Sequence, residues 1–225
     1  FYSGNDSVGF DNISAIKYAC NYPYVSMCDV NTNKRGRWGS VIFSKWPIVK
    51  TMDHDLDVRG SNLLQQADVL VGKDTLSLFN IHLKSNRFTT TESDLVAKRA
   101  LPAWNDTNIS LSRRIYDKVL RNTMSRGLEA ELGPDIIGRT SHPSIVCGDL
   151  NDIASSYVYF TLKGQRKDAF LEMGNGLGAV YAGAIPLLHI DYLFYSDPLS
   201  LKGFATDNQV AFSDHYPLLA NFQLR

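Results

Sequence analysis

Residues 67–83 read ADVLVGKDTLSLFNIHL, two apolar runs joined by the polar stretch Gly72–Asp74. A short stretch with Gly and Asp between two such runs is typical of a hairpin turn. Side chains alternate between the faces of a strand, and the second run carries bulk on both faces: Phe79, Ile81 and Leu83 on one, and Leu78, Asn80 and His82 on the other. The stretch therefore predicts a β-hairpin whose second arm is an inner strand of a layered sheet.

After about Ser93 the apolar period changes from two residues to 3.6, which predicts a long amphipathic helix. Gly133 followed by Pro134 predicts its end, because Gly tolerates a left-handed cap and Pro cannot continue a helix. The apolar stripe of this helix comprises Leu111, Ile115, Tyr116, Val119, Leu120, Met124 and Leu128.

Short apolar runs on either side of this helix predict further strands at Gly39–Phe43, Ile145–Cys147 and Leu188–Tyr195. Between the last two runs, Ser155–Leu162 reads as a short helix that Gly164 closes. Alternation predicts a final strand with Leu218, Ala220, Phe222 and Leu224 on one face. The order of strands and helices indicates a mixed α/β (α+β) domain.

Composition excludes several classes of protein. The chain has 225 residues, 44% hydrophobic and 20% charged, enough for one globular domain over residues 1–225. Its 23 basic and 23 acidic residues cancel, so it lacks the broad positive field of a dedicated nucleic-acid binder. Three cysteines without CxxC spacing argue against a structural zinc site. No stretch approaches the ~20 apolar residues that span a bilayer. We expect a soluble fragment, and a leader or membrane anchor before Phe1 stays an open alternative.

Titratable side chains gather where the predicted strands end: His82, Asp149 with Asn151, and Asp214 with His215. Each alone fits a turn or a hydrogen-bonded core residue. Together they suit a hard cation and a phosphate group, because strand ends present side chains into a cleft.

Four ordered stretches resemble the carboxyl-terminal motifs of the endonuclease/exonuclease/phosphatase superfamily. They are Asn80–Leu83, Gly148–Asp152, Ile190–Tyr192 and Ser213–Leu218, and the likeness extends back to Gly36–Val49. The resemblance implies a two-sheet β-sandwich flanked by helices. It also implies hydrolysis of phosphate esters without a covalent enzyme intermediate.

By the same motifs His215 is the expected catalytic histidine, and Asp191 the carboxylate that orients it. Asn151 is expected to donate a hydrogen bond to a phosphate oxygen. His82 is expected to stabilise the charge that develops on the phosphoryl oxygens. The resemblance therefore assigns four of the catalytic side chains.

Asp149 has two roles by resemblance, because it is expected to orient or deprotonate the attacking water and to hold the metal ion together with Asp214. Carboxylate, amide and water ligands suit Mg²⁺, and Mn²⁺ would also fit. Arg59 and Asn62, in the loop after Asp57, are candidate substrate contacts, with a solvated loop as the alternative.

Members of this superfamily begin with two strands that carry an Asn and then a Gln-Glu pair, whose carboxylate is a principal metal ligand. Neither is found here, so we expect the chain to lack the first one or two strands. Metal binding and activity of the fragment would then be weakened. The glutamates of the chain, in helical or loop contexts, are Glu92, Glu129, Glu131 and Glu172.

The sequence thus predicts a Mg²⁺-dependent phosphoesterase with a nuclease-like fold. Its partner would be a phosphoester, either a small molecule or a nucleic acid, and the oligomeric state is left open. Two alternatives stand beside this prediction. One is a non-catalytic binding module with a degenerate metal site, and the other is a lipid phosphodiesterase of the sphingomyelinase type.

Overall fold

The computed structural model describes residues 1–4, 10–33, 36–56, 62–97, 106–183, 188–210 and 212–224, with the backbone alone for 106–108. Within these ranges no helix combines the length and apolar character that a membrane crossing needs. The elements, in chain order, are β1 (Tyr2–Gly4), α1 (Asn12–Cys20), β2 (Tyr24–Asn33), β3 (Gly36–Ser44), β4 (Ile48–Asp55), β5 (Leu63–Val71), β6 (Asp74–His82), α2 (Thr90–Ala97), α3 (Asp106–Ile137), β7 (Ser144–Asp149), α4 (Tyr157–Lys163), β8 (Lys167–Asp168), α5 (Ala169–Met173), β9 (Asp191–Tyr195), β10 (Ser200–Thr206) and β11 (Leu218–Gln223).

A six-stranded sheet with the order β4-β5-β6-β7-β9-β8 organises the described chain. The predicted hairpin is confirmed as β5 and β6, where Val71 pairs with Asp74 across a two-residue turn. β6 pairs in parallel with β7, and the other neighbours in this sheet are antiparallel. Two strands that end at the same edge are thus brought side by side.

Helices α3 and α4 cover one face of this sheet. Side chains from the sheet and from these helices form one buried cluster, in which Phe79, Ile81 and Val146 are at most 1% exposed. Burying such a side chain contributes roughly 1.5–3 kcal/mol. The second arm of the hairpin therefore has the inner position that its two-sided pattern predicted.

Two smaller sheets meet the other face. In the three-stranded sheet β1-β3-β2, the backbone carbonyl of Ser26 accepts a hydrogen bond from the fully buried Gln65 of β5. The two-stranded sheet β10-β11 supplies Leu201 and Phe222 to a second cluster around Tyr195. The predicted mixed α/β fold, sheets layered together and flanked by helices, is confirmed.

The predicted apolar stripe on α3 is wrong for four of its seven members, one of which, Leu120, is 46% exposed. Ile115 and Val119 are half-buried, but Tyr116, Met124 and Leu128 are 66–68% exposed. In the middle of the helix the buried face carries Arg126, Glu129 and Ala130 instead, and apolar burial resumes with Ile136 and Ile137 at its end. Those polar groups have partners from loops, as described below, so burial there follows hydrogen bonding rather than hydropathy.

The predicted end of this helix at Gly133 and Pro134 is also wrong, because α3 continues to Ile137 with Pro134 inside it. A Cβ on Gly133 would lie 2.3 Å from Leu162, so this glycine allows α4 to pack closely. The predicted short helix is confirmed as α4, with Ser156 as its N-cap and Gly164 as its C-cap.

Candidate active site

Three titratable side chains stand side by side across the centre of the large sheet. His82 of β6 is the register partner of Asp149 of β7, and Asp149 is the register partner of Asp191 of β9. Gly148 allows this, since a Cβ there would lie 1.9 Å from the Ile81 carbonyl oxygen and its φ of 140° favours glycine. Strand register therefore sets the spacing of the row.

His215 joins the row from another part of the chain. Its Nδ1 lies 2.6 Å from Oδ2 of Asp191, and its backbone forms an isolated antiparallel bridge with Tyr181. The bond to Asp191, supported by the negative charges of Asp149 and Asp214, raises the pKa of His215 to about 8. The imidazole is thus mostly protonated near pH 7, and Asp191 orients it.

Asp149 sits in a turn that Asn151 closes with a left-handed φ of 51°. The backbone N–H of Asn151 donates to Asp149 Oδ1 at 2.7 Å, and its side-chain amide donates to Oδ2 at 2.9 Å. The amide also donates to the Leu83 carbonyl at 3.1 Å. A side-chain amide has two N–H hydrogens, so these two bonds position Asp149, and the phosphate contact expected for Asn151 stays a prediction.

Burial and the neighbouring Asp191 carboxylate raise the pKa of Asp149 to about 7, against the lowering effect of the Asn151 backbone bond. Burial and the positive charge of Arg87 lower the pKa of His82. At neutral pH the row therefore combines a neutral imidazole with a carboxylate near its titration point. A carboxyl group with that pKa is suited to act as a general base.

The row opens into a cleft of about 770 Å³. His82, Asp149 and Asn151 line its polar end, together with His215 and the exposed Asp214. The structure thus brings these predicted residues to one cleft, and Asp191 is hydrogen-bonded to His215.

Ligand atoms of Asp149, Asp191 and His215 all lie within 4.8 Å of one another, so this group could hold a metal ion. Asp214 was predicted as a metal ligand with Asp149. It faces the same cleft but lies outside this group in the described part of the chain.

The two predicted substrate contacts have different outcomes. Arg59 lies outside the described residues. Asn62 is 2% exposed and donates to Glu129 Oε1 at 2.8 Å. The solvated-loop alternative is also wrong for Asn62, because its amide is buried in a polar contact beneath the sheet edge. Glu129 further accepts from the backbone N–H of Lys84 at 2.9 Å, which ties the end of β6 to α3.

Arg126 and Tyr181 are among the lining residues that sequence reasoning missed. Arg126 is 3% exposed, pairs with Asp152 at 3.0 Å and donates to the carbonyl of Lys84 at 3.1 Å. The ring of Tyr181 packs edge-on against that of His215 with centroids 5.2 Å apart. Asp152 inside a Gly-Asp-Leu-Asn-Asp motif was the available signal for a buried basic partner.

Comparisons with known proteins agree with this geometry. Residues 4–215 match the model of the Endonuclease/Exonuclease/phosphatase family. The comparison with curated proteins gave no match. Among solved structures, an endonuclease/exonuclease/phosphatase from Bacteroides vulgatus aligns with TM-score 0.63 and 16% identity over 95% of this chain and 80% of that chain.

Two other solved structures have the same fold. The mannosyl-6-phosphatase Bt3783 of Bacteroides thetaiotaomicron aligns with TM-score 0.59 and 16% identity over 94% of this chain and 81% of that chain. The human Nocturnin catalytic domain, with a bound sulfate anion, aligns with TM-score 0.61 and 14% identity over 96% of this chain and 77% of that chain. At such identities the likeness concerns the fold and leaves the substrate open.

Proposed function

The chain belongs to the endonuclease/exonuclease/phosphatase family, and on this premise we propose that it is a metal-dependent hydrolase of phosphodiester or phosphomonoester bonds. Endonucleases, exonucleases and phosphatases all cleave phosphate esters, so the family carries the reaction class without the substrate. The observation that best supports the proposal is the row His82, Asp149 and Asp191 with His215 bonded to its end, all at one cleft.

The donor set fits a hard divalent cation. Asp149 and Asp191 place carboxylate oxygens in one small group, and carboxylates are ligands that Mg²⁺ and Mn²⁺ accept readily. We propose Asp149 and Asp214, which line the same cleft, as ligands of the cation. A bound cation would polarise a nonbridging phosphate oxygen and offset its charge.

Asp149 is proposed as the group that receives a proton from the attacking water. The water oxygen forms a bond to phosphorus in line with the ester oxygen, and the phosphorus–oxygen ester bond breaks. The carboxylate of Asp149 lines the cleft, where it can accept the water's proton. Asn151 holds both carboxylate oxygens of Asp149, which keeps the base oriented.

His215 is proposed as the acid of the same reaction. Its pKa of about 8 keeps it protonated near neutral pH, and Asp191 at 2.6 Å stabilises that imidazolium. His215 would give its proton to the departing alcohol oxygen, while the neutral His82 donates an N–H to a phosphoryl oxygen. Protons and charge then balance: one proton leaves water and one reaches the alcohol.

The proposal is tested by incubating the protein with bis(4-nitrophenyl) phosphate and Mg²⁺ or Mn²⁺ and measuring the release of 4-nitrophenolate. We expect turnover that EDTA abolishes and that the double variant His215→Ala with Asp149→Ala lacks. The control is Asp197→Ala, because Asp197 is exposed and pairs with Lys167 away from the row.

Turnover that survives the double substitution would refute the assignment of the site. Binding of phosphate with no turnover of any ester would instead favour the non-catalytic binding module. A requirement for vesicles would favour the lipid phosphodiesterase alternative. Each outcome therefore selects one reading of the same cleft.

A further inference from the structure

The cleft has a second end that differs chemically from the row. Its lining there comes from the loop after β6, from α2 and from α3, and it includes four apolar side chains beside polar ones such as Ser85, Ser93 and Thr123. We call the four apolar side chains the apolar wall, which consists of Phe88, Val96, Ile115 and Val119. Ile115 and Val119 lie one helical turn apart, so they share one face of α3.

Two basic side chains beside the apolar wall are paired with carboxylates of the same chain. Lys118 Nζ lies 2.6 Å from Glu92 Oε2 and 5.8 Å from the centroid of the Phe88 ring. Glu92, 3% exposed, also accepts from the backbone N–H of Thr89 at 2.7 Å. Arg126 is similarly committed to Asp152. A polyanion would need several free cations along its path. Lys118 and Arg126 are already paired, and the charge of the exposed Arg87, which also lines the cleft, acts on His82 at the polar end.

The cleft is also much larger than a phosphate group. Sites for drug-sized ligands occupy roughly 300–1,000 Å³ and are lined mostly by apolar side chains with a few polar groups. The cleft of about 770 Å³ has a volume in this range, and its lining combines the four side chains of the apolar wall with the titratable groups His82, Asp149 and His215. An ester whose phosphorus lies at the row would extend its organic part along the apolar wall.

Resting on the proposed function, we propose that the apolar wall selects phosphate esters of an apolar alcohol, aromatic or alkyl, over polynucleotides and sugar phosphates. The selecting residues are Phe88, Val96, Ile115 and Val119, which contact the organic group rather than the reacting atoms. They determine specificity by burying apolar surface that a sugar or a charged strand cannot supply.

The test measures binding of phosphonates, which cannot be hydrolysed, by calorimetry in the presence of Mg²⁺. Methylphosphonate, phenylphosphonate and hexylphosphonate share the charged group and differ only in the organic part. We expect the phenyl or hexyl compound to bind about tenfold more tightly than the methyl compound. Comparison of the phenyl and hexyl compounds shows whether the site prefers an aromatic or an alkyl group.

A matched pair of variants locates the effect. Ile115→Ala should remove most of the preference, whereas Ile109→Ala, the same change at a 49% exposed position of α3, should leave it intact. Methyl NMR of the unmodified protein gives an independent readout, because phenylphosphonate should shift Ile115 and Val119 signals even if a variant folds poorly.

The outcomes separate this inference from the proposed function. Equal binding of methyl-, phenyl- and hexylphosphonate would overturn the inference and leave the proposed phosphate site standing. Tighter binding of a 5′-phosphorylated oligothymidylate than of phenylphosphonate, or equal loss in the Ile109→Ala control, would also overturn it. If none of the phosphonates binds, the phosphate end itself fails, and the proposed function fails with it.

Discussion

The two ends of the cleft are built by different kinds of structure. The polar end comes from the register of three paired strands, which places His82, Asp149 and Asp191 in one row. The apolar wall comes from a loop and two helices, whose side chains meet the cleft from the edge of the sheet. Strand pairing fixes positions closely, whereas loops and helix faces vary readily. The comparison suggests that chemistry resides at the first end and substrate choice at the second.

Substitution of Asp191 should produce the largest effect, because it breaks the polar end without touching the apolar wall. Asp191→Asn keeps the shape but removes the charge that orients and stabilises the His215 imidazolium. We expect kcat to fall by about 10³- to 10⁴-fold, as for other His and Asp pairs, and the pKa of His215 to fall from about 8. Ester turnover and NMR titration of the imidazole measure the two changes.

Asp197→Asn is the control for this prediction, since Asp197 belongs to an exposed ion pair with Lys167. It should leave both kcat and the His215 titration unchanged. A substantial loss in the control, or an unchanged His215 pKa in Asp191→Asn, would separate Asp191 from the catalytic histidine.

The polar end could be predicted from the sequence because each of its members follows or begins a recognisable strand. Asp149 and His82 end apolar runs, and parallel or adjacent strands meet at one edge. The hydrogen bonds from the Asn151 amide to Asp149 and Leu83 could not be predicted, because they depend on the local backbone geometry of the turn.

The apolar end could be predicted only in part, because hydropathy misplaced the buried face of α3. Met124 and Leu128 suggested burial and are exposed, while Arg126 and Glu129 are buried. A buried charge depends on partners contributed by distant loops, here Asp152 and Asn62. The spacing of apolar residues along a helix gives no information about such partners.

The next largest effect should come from the buried ion pair between Arg126 and Asp152. Arg126→Leu would leave Asp152 uncompensated and would remove the hydrogen bond to Lys84. Breaking a buried ion pair in this way costs about 3–5 kcal/mol, so we expect a loss of that size in the free energy of unfolding in urea. Lys167→Leu, which breaks an exposed pair, should change it by less than about 1 kcal/mol. Similar losses in both variants would contradict the prediction.

The polar end should also give the metal-free protein a distinct pH dependence. The pKa of Asp149 rises from 3.8 to about 7, and that of His215 from 6.5 to about 8. Asp149 and His215 therefore hold more protons in the folded chain than in the unfolded chain in these windows, so their contribution to the free energy of unfolding falls as pH rises. His82, whose pKa is lowered, contributes in the opposite direction below about pH 6.5. The fall is carried by Asp149 between about pH 4 and 7 and by His215 through about pH 8.

Urea unfolding of EDTA-treated protein at a series of pH values between 5 and 9 measures this fall, whose slope is at most about 1.4 kcal/mol per pH unit for each group. Asp149→Asn should flatten the plot of the free energy of unfolding against pH below pH 7. The fall above pH 7, which belongs to His215, should still be seen. An Asp149→Asn curve that runs parallel to that of the unmodified protein below pH 7 would show that Asp149 is not protonated as its burial and the neighbouring charge require.

The smallest effect should come from the apolar wall and should leave the polar end untouched. Phe88→Leu removes an aromatic face but keeps an apolar side chain beside Lys118. Aromatic contacts contribute about 0.5–1.5 kcal/mol, so KM for a phenyl phosphate ester should rise by about three- to tenfold while kcat stays constant. Turnover of the methyl ester and the His215 pKa of about 8 should not change. A variant that lowered kcat for both esters, or shifted that pKa, would show that the two ends act as one unit, and the division between chemistry and substrate choice would then be wrong.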